Sequence, residues 1–369
     1  MILRRDDFQD VCTMILSAVD SNNLATVTET LALNTDGTNL ILAVTNRDYY
    51  VKVILDIHEE VDFHATVNAE LFLKLVSKIT TETIELTCSD TSLTIVGNGT
   101  YTLPLVFDGE NLLELPRIEI DVETSNFDMS KDNLAGIMNY NSKELKKNAF
   151  SKPVQKMYYM DKDGCITFTS GACVNNFTLD TTCKVLLNGK VVQLFKLFDD
   201  DTVKVTVGHS PINGSDMVQS KIRFKTDKVE ITSLLVNDEN MINSVPVDAI
   251  RGMATNTYPH SVVISKEEIQ DTISRLLIFS DAIKKPYSKF VFSNREVTIF
   301  DRDGVNKESI VYANDSNIET PYELTLDLND LKVVLDGYRG DHITMNFGNN
   351  VAVVIQYLGV YNVIPECNL

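Results

Sequence analysis

No tryptophan occurs among the 369 residues, and the five histidines (His58, His64, His209, His260, His342) form no HxxxH or HExxH pattern and no cluster with cysteine. A histidine-based zinc or haem site therefore has no sequence support. The six cysteines (Cys12, Cys88, Cys165, Cys173, Cys183, Cys367) contain no CxxC, and several fall inside apolar periodic segments, the pattern of buried free thiols. No apolar run reaches the ~20 residues that span a bilayer, and the opening MILRRDDFQD lacks the apolar core of a signal peptide. A cytoplasmic protein with no membrane partner is expected. GxxxxGK[ST], GxGxxG after a strand and GxSxG are missing as well, which leaves no conventional catalytic motif. Positive charge is also scarce: 33 lysines and arginines face 52 acidic residues, for a net charge of −19 and a pI near 4.7. That balance argues against holding nucleic acid by an outer patch. It argues less against encircling a duplex, where topology rather than contact energy prevents escape.

What is present is repetition. Asn68 opens NAELFLKLVSKITTETIELTC, Asn188 opens NGKVVQLFKLFDDDTVKVT and Asp327 opens DLNDLKVVLDGYRGDHITMNF. Each starts on a helix N-cap residue, sets an apolar face against basic residues, turns on a polar run and ends in strand-like alternation. The copies lie about 120 and then about 140 residues apart, so one domain is read as written three times. At 369 residues the chain is long for one core, whereas units of roughly 120 residues fall at the commonest domain size.

The upstream halves repeat too. Asp6 to Val19, Ser130 to Asn148 and Ser265 to Ile283 read as helices with acids in the first turn, where a helix N-terminus favours them. Strand pairs follow each: Leu40–Val44 with Tyr49–Leu55, Ile166–Thr169 with Asn176–Leu179, and Phe290–Phe292 with Glu296–Phe300. The spacing predicts helix, strands, helix, strands in each third, and six helices in all. A hairpin is expected at Ser92–Val96 and Tyr101–Val106 around a Gly-Asn-Gly turn. Pro116 makes Leu112–Ile120 an extended connector, and mixed turn signals with Pro246 make Asn237–Thr257 the second connector. Asp199, Asp200 and Asp201 read as a solvated cap rather than a Mg²⁺ site, and Asp161-Lys162-Asp163-Gly164 as a hairpin turn rather than a calcium loop.

This order of elements resembles the bacterial-type DNA polymerase sliding clamp, the beta clamp, over essentially the whole chain. LLVNDENMINSVP (Leu234 to Pro246), SRLLIFSDAIKKP (Ser274 to Pro286), LDLNDLKVVLDGYRGDHITMNF and the closing YNVIPECNL carry the resemblance. It implies an α+β fold of three tandem clamp domains, 1–122, 123–256 and 257–369, each with two helices on antiparallel sheets. It further implies a head-to-tail homodimeric ring that encircles double-stranded DNA without reading its sequence, takes no cofactor, catalyses no reaction, and works with a DNA polymerase and a clamp loader. Its divergence suggests a phage or another divergent replicon as the source.

The residues implied to face DNA are Lys74, Lys78, Lys143, Lys146, Lys147, Lys190, Lys196, Arg275, Lys332 and Arg339; such cations touch phosphates without reading bases. The Ser21-Asn22-Asn23 loop occupies a DNA-contacting position of the family but lacks its arginine. The ring joint is implied at Tyr101, on an edge strand, and at Ile278 and Phe279, on a helix. A groove for client peptides is implied at Val154, Ser170, Ala172, Asn176, Phe177, Pro246, Val351, Val353, Asn362, Val363, Ile364 and Pro365. SGACVNNF (Ser170 to Phe177) lacks the histidine and arginine the family carries there, so altered peptide specificity is expected. The alternative is a clamp-like monomeric adaptor that does not encircle DNA, for example in transcription.

Overall fold

In the computed structural model, which describes residues 1–19, 25–57, 60–147, 152–212, 214–280, 285–348 and 352–367, most helices begin where a strand ends. Among the described residues, the α-helices longer than one turn are α1 (Arg5–Leu16), α2 (Ala69–Val76), α3 (Lys131–Gly136), α4 (Gly189–Gln193), α5 (Glu239–Asn243), α6 (Val247–Thr255), α7 (Lys266–Leu276) and α8 (Leu328–Leu335). All but α5 and α6 follow a strand without an intervening loop. An N-cap residue needs extended backbone, which the last residue of a strand already has. Asn68, Ser265 and Asp327 meet that condition, and their side chains accept from the backbone N–H groups of Leu71 (2.9 Å), Glu268 (3.3 Å) and Asn329 (2.9 Å). Each such cap stabilises its helix by about 1 kcal/mol.

The chain divides into two compact units: Met1–Lys131 with Gln193–Asn237, and Asp132–Val192 with Asp238–Leu369. The first unit holds an antiparallel eight-stranded sheet in the order Val122–Ser130, Thr202–Pro211, Val218–Lys225, Val229–Leu234, Tyr49–Asp56, Asn39–Thr45, Thr30–Asp36, His64–Asn68. Its central seam pairs Val229–Leu234 with Tyr49–Asp56, so segments more than 170 residues apart in the chain share one sheet. A four-stranded sheet runs Ile2–Arg4, Thr83–Cys88, Ser92–Val96, Thr100–Pro104. The strand Thr202–Pro211 passes Val122 so closely that a Cβ on Gly208 would sit 2.3 Å from the Val122 carbonyl oxygen, which requires glycine. Phe8 of α1 meets Phe72 of α2 edge-on, with centroids 6.1 Å apart, and both are fully buried. Each such ring contributes about 1.5–3 kcal/mol through burial.

The second unit repeats the plan. Its eight-stranded sheet runs Val185–Asn188, Met157–Asp161, Gly164–Phe168, Ala172–Asn175, Val360–Pro365, Ala352–Tyr357, His342–Phe347, His260–Ser265, and its four-stranded sheet Lys307–Val311, Glu296–Phe300, Tyr287–Phe292, Tyr322–Asp327. Here α7 and α8 pack together over a core that includes Phe290, Phe292 and Phe347, the last two 4.1 Å apart. The α+β class with antiparallel sheets is as expected.

Several local expectations shift. The connector Asn237–Thr257 is helical, as α5 and α6, rather than irregular. Asp238 accepts from the N–H groups of Asn240 and Met241, and Pro246 stands before the first turn of α6, where no backbone donor is needed. Its turn-favouring residues are helix starts. The partner of Gly164–Phe168 is Ala172–Asn175, four residues earlier than the expected Asn176–Leu179. The expected long helix from Ser130 is α3, a π-helical turn at Ile137–Asn141 and a last turn at Ser142–Glu144. Asn141 anchors that turn by donating to the carbonyl oxygens of Cys165 and Cys173.

Candidate functional site

Amphipathic spacing decides which cations reach solvent. On α2 the apolar residues Phe72, Leu73 and Val76 turn inward, which leaves Lys74 exposed one turn after Glu70, with which it pairs. Such an exposed pair contributes a few tenths of a kcal/mol and leaves the ammonium available. Lys78, Lys146, Lys190, Lys196 and Arg339 are also exposed, and Lys143 and Lys332 are half-buried. Arg275 reaches solvent, but its guanidinium is committed: Nε donates to Glu308 Oε1 at 2.9 Å and Nη2 to Oε2 at 2.6 Å. That fork holds the Glu308 carboxyl below its ordinary pKa.

Lys147, expected to face DNA, does not reach solvent. Its side chain is buried, with Nζ 2.7 Å from Oε2 of a fully buried Glu144, although not in hydrogen-bonding alignment. Oε1 of the same carboxylate accepts from the Thr169 hydroxyl. A buried ammonium needs a buried counter-charge, and this one has it within the fold, so it does not present itself to a ligand. The Ser21-Asn22-Asn23 loop and Val351 lie outside the described residues. Asp199, expected as a solvated cap, is paired with Lys131, which holds its carboxyl below the ordinary value. Asp161-Lys162-Asp163-Gly164 is a two-residue hairpin turn closed by Asp161 opposite Gly164.

Large apolar side chains left in water are the second feature. Ile278 is 77% exposed and Phe279 55%, in the single helical turn that follows α7. They are therefore not core residues. Nearby in the same unit, Lys307–Val311 is an edge strand packed against α7, and its Val311 is exposed while Ile310 is buried. Sequence reasoning misses Val311, although the alternation in KESIV carries the signal. In the other unit, Thr100–Pro104 is the edge of the four-stranded sheet, with Tyr101 partly exposed.

The described residues expected to form a peptide groove all belong to the second unit, and Ala172, Val353, Asn362, Val363, Ile364 and Pro365 share one seam. Ala172 pairs with Val363 and Val353 with Ile364, where Ala172–Asn175 and Ala352–Tyr357 flank Val360–Pro365. Most of them are not surface. Val154, Ala172, Val353, Asn362, Val363 and Ile364 are buried; Asn362, Val363 and Ile364 follow one another in a strand and point to alternate faces, so the seam is covered on both. Asn362, expected among the groove residues, donates to the buried Tyr338 hydroxyl. Ser170, Asn176 and Pro246 are exposed, with Phe177 and Pro365 half-buried.

Pro246 also borders a polar cavity of about 430 Å³ that the sequence does not reveal. There the Arg251 guanidinium grips Asp161, Nη1 to Oδ2 at 2.9 Å and Nη2 to Oδ1 at 2.6 Å, with Asp163, Lys184 and Asp248 around it. Burial pushes the Asp161 carboxyl up, but the hydrogen bonds from Arg251 prevail and hold it below its ordinary value. Burial first, then the Asp161 charge, push the Tyr159 phenol up to about 12. Among the described residues, no three His, Cys, Asp or Glu side chains come together as a metal-binding group, and no helix is long and apolar enough to cross a membrane.

Residues 1–116 match the family model of the DNA polymerase III beta subunit, N-terminal domain. The whole chain superposes on the DNA polymerase III subunit beta of Pseudomonas aeruginosa with a TM-score of 0.82 at 14% identity, covering 100% of both chains. The DNA polymerase sliding clamp of Bacillus subtilis gives 0.80 at 15% identity, over 100% of this chain and 98% of that one. The DNA polymerase III subunit beta of Borrelia burgdorferi, solved in complex with a natural product, gives 0.80 at 14% over the same shares. These identities bear on the fold. No curated protein matches the sequence.

Proposed function

We propose that this chain, which carries the N-terminal domain of the DNA polymerase III beta subunit and has the bacterial beta-clamp fold along its whole length, is a non-enzymatic DNA sliding clamp. The observation that carries the reading is that the likeness covers 100% of this chain and of the Pseudomonas aeruginosa structure. In this reading the chain comprises three clamp domains, 1–122, 123–256 and 257–369, and two copies close head to tail around duplex DNA. The joint uses Tyr101 and its edge strand on one copy, and Ile278, Phe279 and the Lys307–Val311 edge on the other. Open edges beside exposed apolar side chains support it, since both are costly to leave unpartnered in water. Lys74, Lys78, Lys143, Lys146, Lys190, Lys196, Lys332 and Arg339 face the phosphates loosely. A polymerase and other clients dock at the Ala172–Val363 seam through Ser170, Asn176, Phe177, Pro246 and Pro365, and a loader opens the ring.

Retention on circular and linearised plasmid, with a clamp loader and ATP supplied and salt high enough to screen phosphate contacts, tests the reading. Retention on circles with loss from linear ends is expected. Equal loss from both, with a control clamp retained under its loader, would overturn encirclement and favour a monomeric adaptor.

A further inference from the structure

The first unit contains a cavity of about 400 Å³ that the clamp reading does not use. Strand register builds one wall: Asn34 is directly opposite His64, and Ala32 opposite Thr66, so all four side chains share one face of the sheet. The Tyr50 ring adds to it, and the extended segment Leu113–Arg117 closes the other side. Leu115 joins Ala32 and Tyr50 in a small apolar cluster, and Leu113 is buried as well.

One polar atom on this lining lacks a partner, whereas the Thr66 hydroxyl donates to the Val106 carbonyl oxygen at 3.0 Å. Tyr50 and Thr66 are more than nine-tenths buried. The Oδ1 atom of Asn34 is buried with no hydrogen-bond partner among the described residues. Such an orphan costs about 1–3 kcal/mol unless a further group meets it. Which end of the amide faces the cavity is set by its partner, so a 180° turn presents N–H donors instead. Arg117 lies beside Tyr50, where burial pushes the phenol up and the guanidinium acts the other way. Among the described residues no carboxylate forms an ion pair with Arg117. A guanidinium in no ion pair among the described residues, an imidazole and an amide thus converge over an apolar floor, and Glu114 on the same rim adds one opposing charge.

We propose that this cavity binds a small organic monocarboxylate, its carboxylate held by Arg117 and His64 and its hydrocarbon body seated on Leu113, Leu115 and Ala32. Guanidinium offers a carboxylate two parallel N–H donors. Glu114 and the net charge of −19 disfavour a dianion such as phosphate. The volume falls within the usual range of small-ligand sites, and the mixture of apolar walls with a few convergent polar groups is their usual lining.

Calorimetric titration of the full chain with 4-phenylbutyrate, and separately with its uncharged amide, tests this, with NMR signals of the Asn34 side chain as the locator. Saturable binding of the carboxylate is expected, weaker by at least about tenfold for the amide and for Arg117→Gln, and accompanied by movement of the Asn34 signals. Arg117 is exposed, so Arg117→Gln is expected to fold as the parent does, and its unliganded melting temperature checks that. The proposal is overturned by lack of saturation up to about 10 mM, by equal affinity for the amide, by unchanged affinity in Arg117→Gln, or by binding that leaves the Asn34 signals in place.

Discussion

Nζ of Lys147 lies 2.7 Å from Oε2 of Glu144, and neither side chain retains more than 1% of its exposure. Removing one partner strands the other charge in a low-dielectric interior. Lys147→Met is therefore expected to destabilise the protein by about 3–5 kcal/mol, and Glu144→Gln with Lys147→Met to recover much of that, since Gln still offers Thr169 an acceptor. Urea unfolding of the three proteins decides it. A double variant as unstable as Lys147→Met would show that packing, not charge, holds this corner.

The Asp161–Arg251 fork has a pH signature. A carboxyl whose folded pKa lies below its unfolded value stabilises above the unfolded value, near 4, and loses that contribution as pH falls through the folded one. Thermal unfolding followed from pH 6 down to about pH 2 should fall less steeply in Asp161→Asn than in the parent, and Asp161→Asn should already be less stable at pH 6. Parallel profiles would remove Asp161 from the acid response.

If Ile278 and Phe279 form a joint between copies, charging them should separate the copies without unfolding either, because both already stand in water. Sedimentation of Ile278→Asp with Phe279→Asp is expected to give the 41.3 kDa protomer at concentrations where the parent sediments as twice that mass. A parent that sediments as the protomer throughout would sink the joint.

The cations differ in what they have to offer. Changing Lys74, Lys78, Lys190 and Lys196 to Gln is expected to weaken non-specific duplex binding and flatten its salt dependence, by roughly 0.9 in logarithmic slope for each phosphate no longer neutralised. Arg275→Gln should change the slope far less, because Glu308 already occupies that guanidinium. Filter binding across a salt series separates the two.

Thiol reactivity checks the packing directly. Cys12, Cys165 and Cys173 are buried and burial pushes their thiols up, whereas Cys88, Cys183 and Cys367 are half-buried. A thiol-specific chromogenic reagent is expected to titrate three groups in the native protein and six in denaturant. Fast reaction of a fourth native thiol would contradict the buried set.

The sequence by itself determined the local elements. Asn68, Ser265 and Asp327 mark helix starts because capping is a contact within four residues, and the periodicity of Phe72, Val76, Leu331 and Val334 turns each helix on its axis. Exposure of Lys74 and Lys190 follows from the same arithmetic. The short feeding strands, such as Val185–Asn188 and His260–Ser265, are not legible because a few residues carry too little alternation to stand out from a loop.

Tertiary structure alone decided how distant segments meet. Nothing local distinguishes Lys147 from Lys146, and only the placement of Glu144 and Thr169 buries one while leaving the other in water. Val229–Leu234 pairs with Tyr49–Asp56, and Arg251 with Asp161, through hydrogen bonds and charges whose partners lie about 90 to 180 residues away. Helical and strand periods record which way a side chain points from its own backbone, but not which neighbour is brought to that face. The same limit explains why the burial of Val363 and Ile364 was not legible in the sequence.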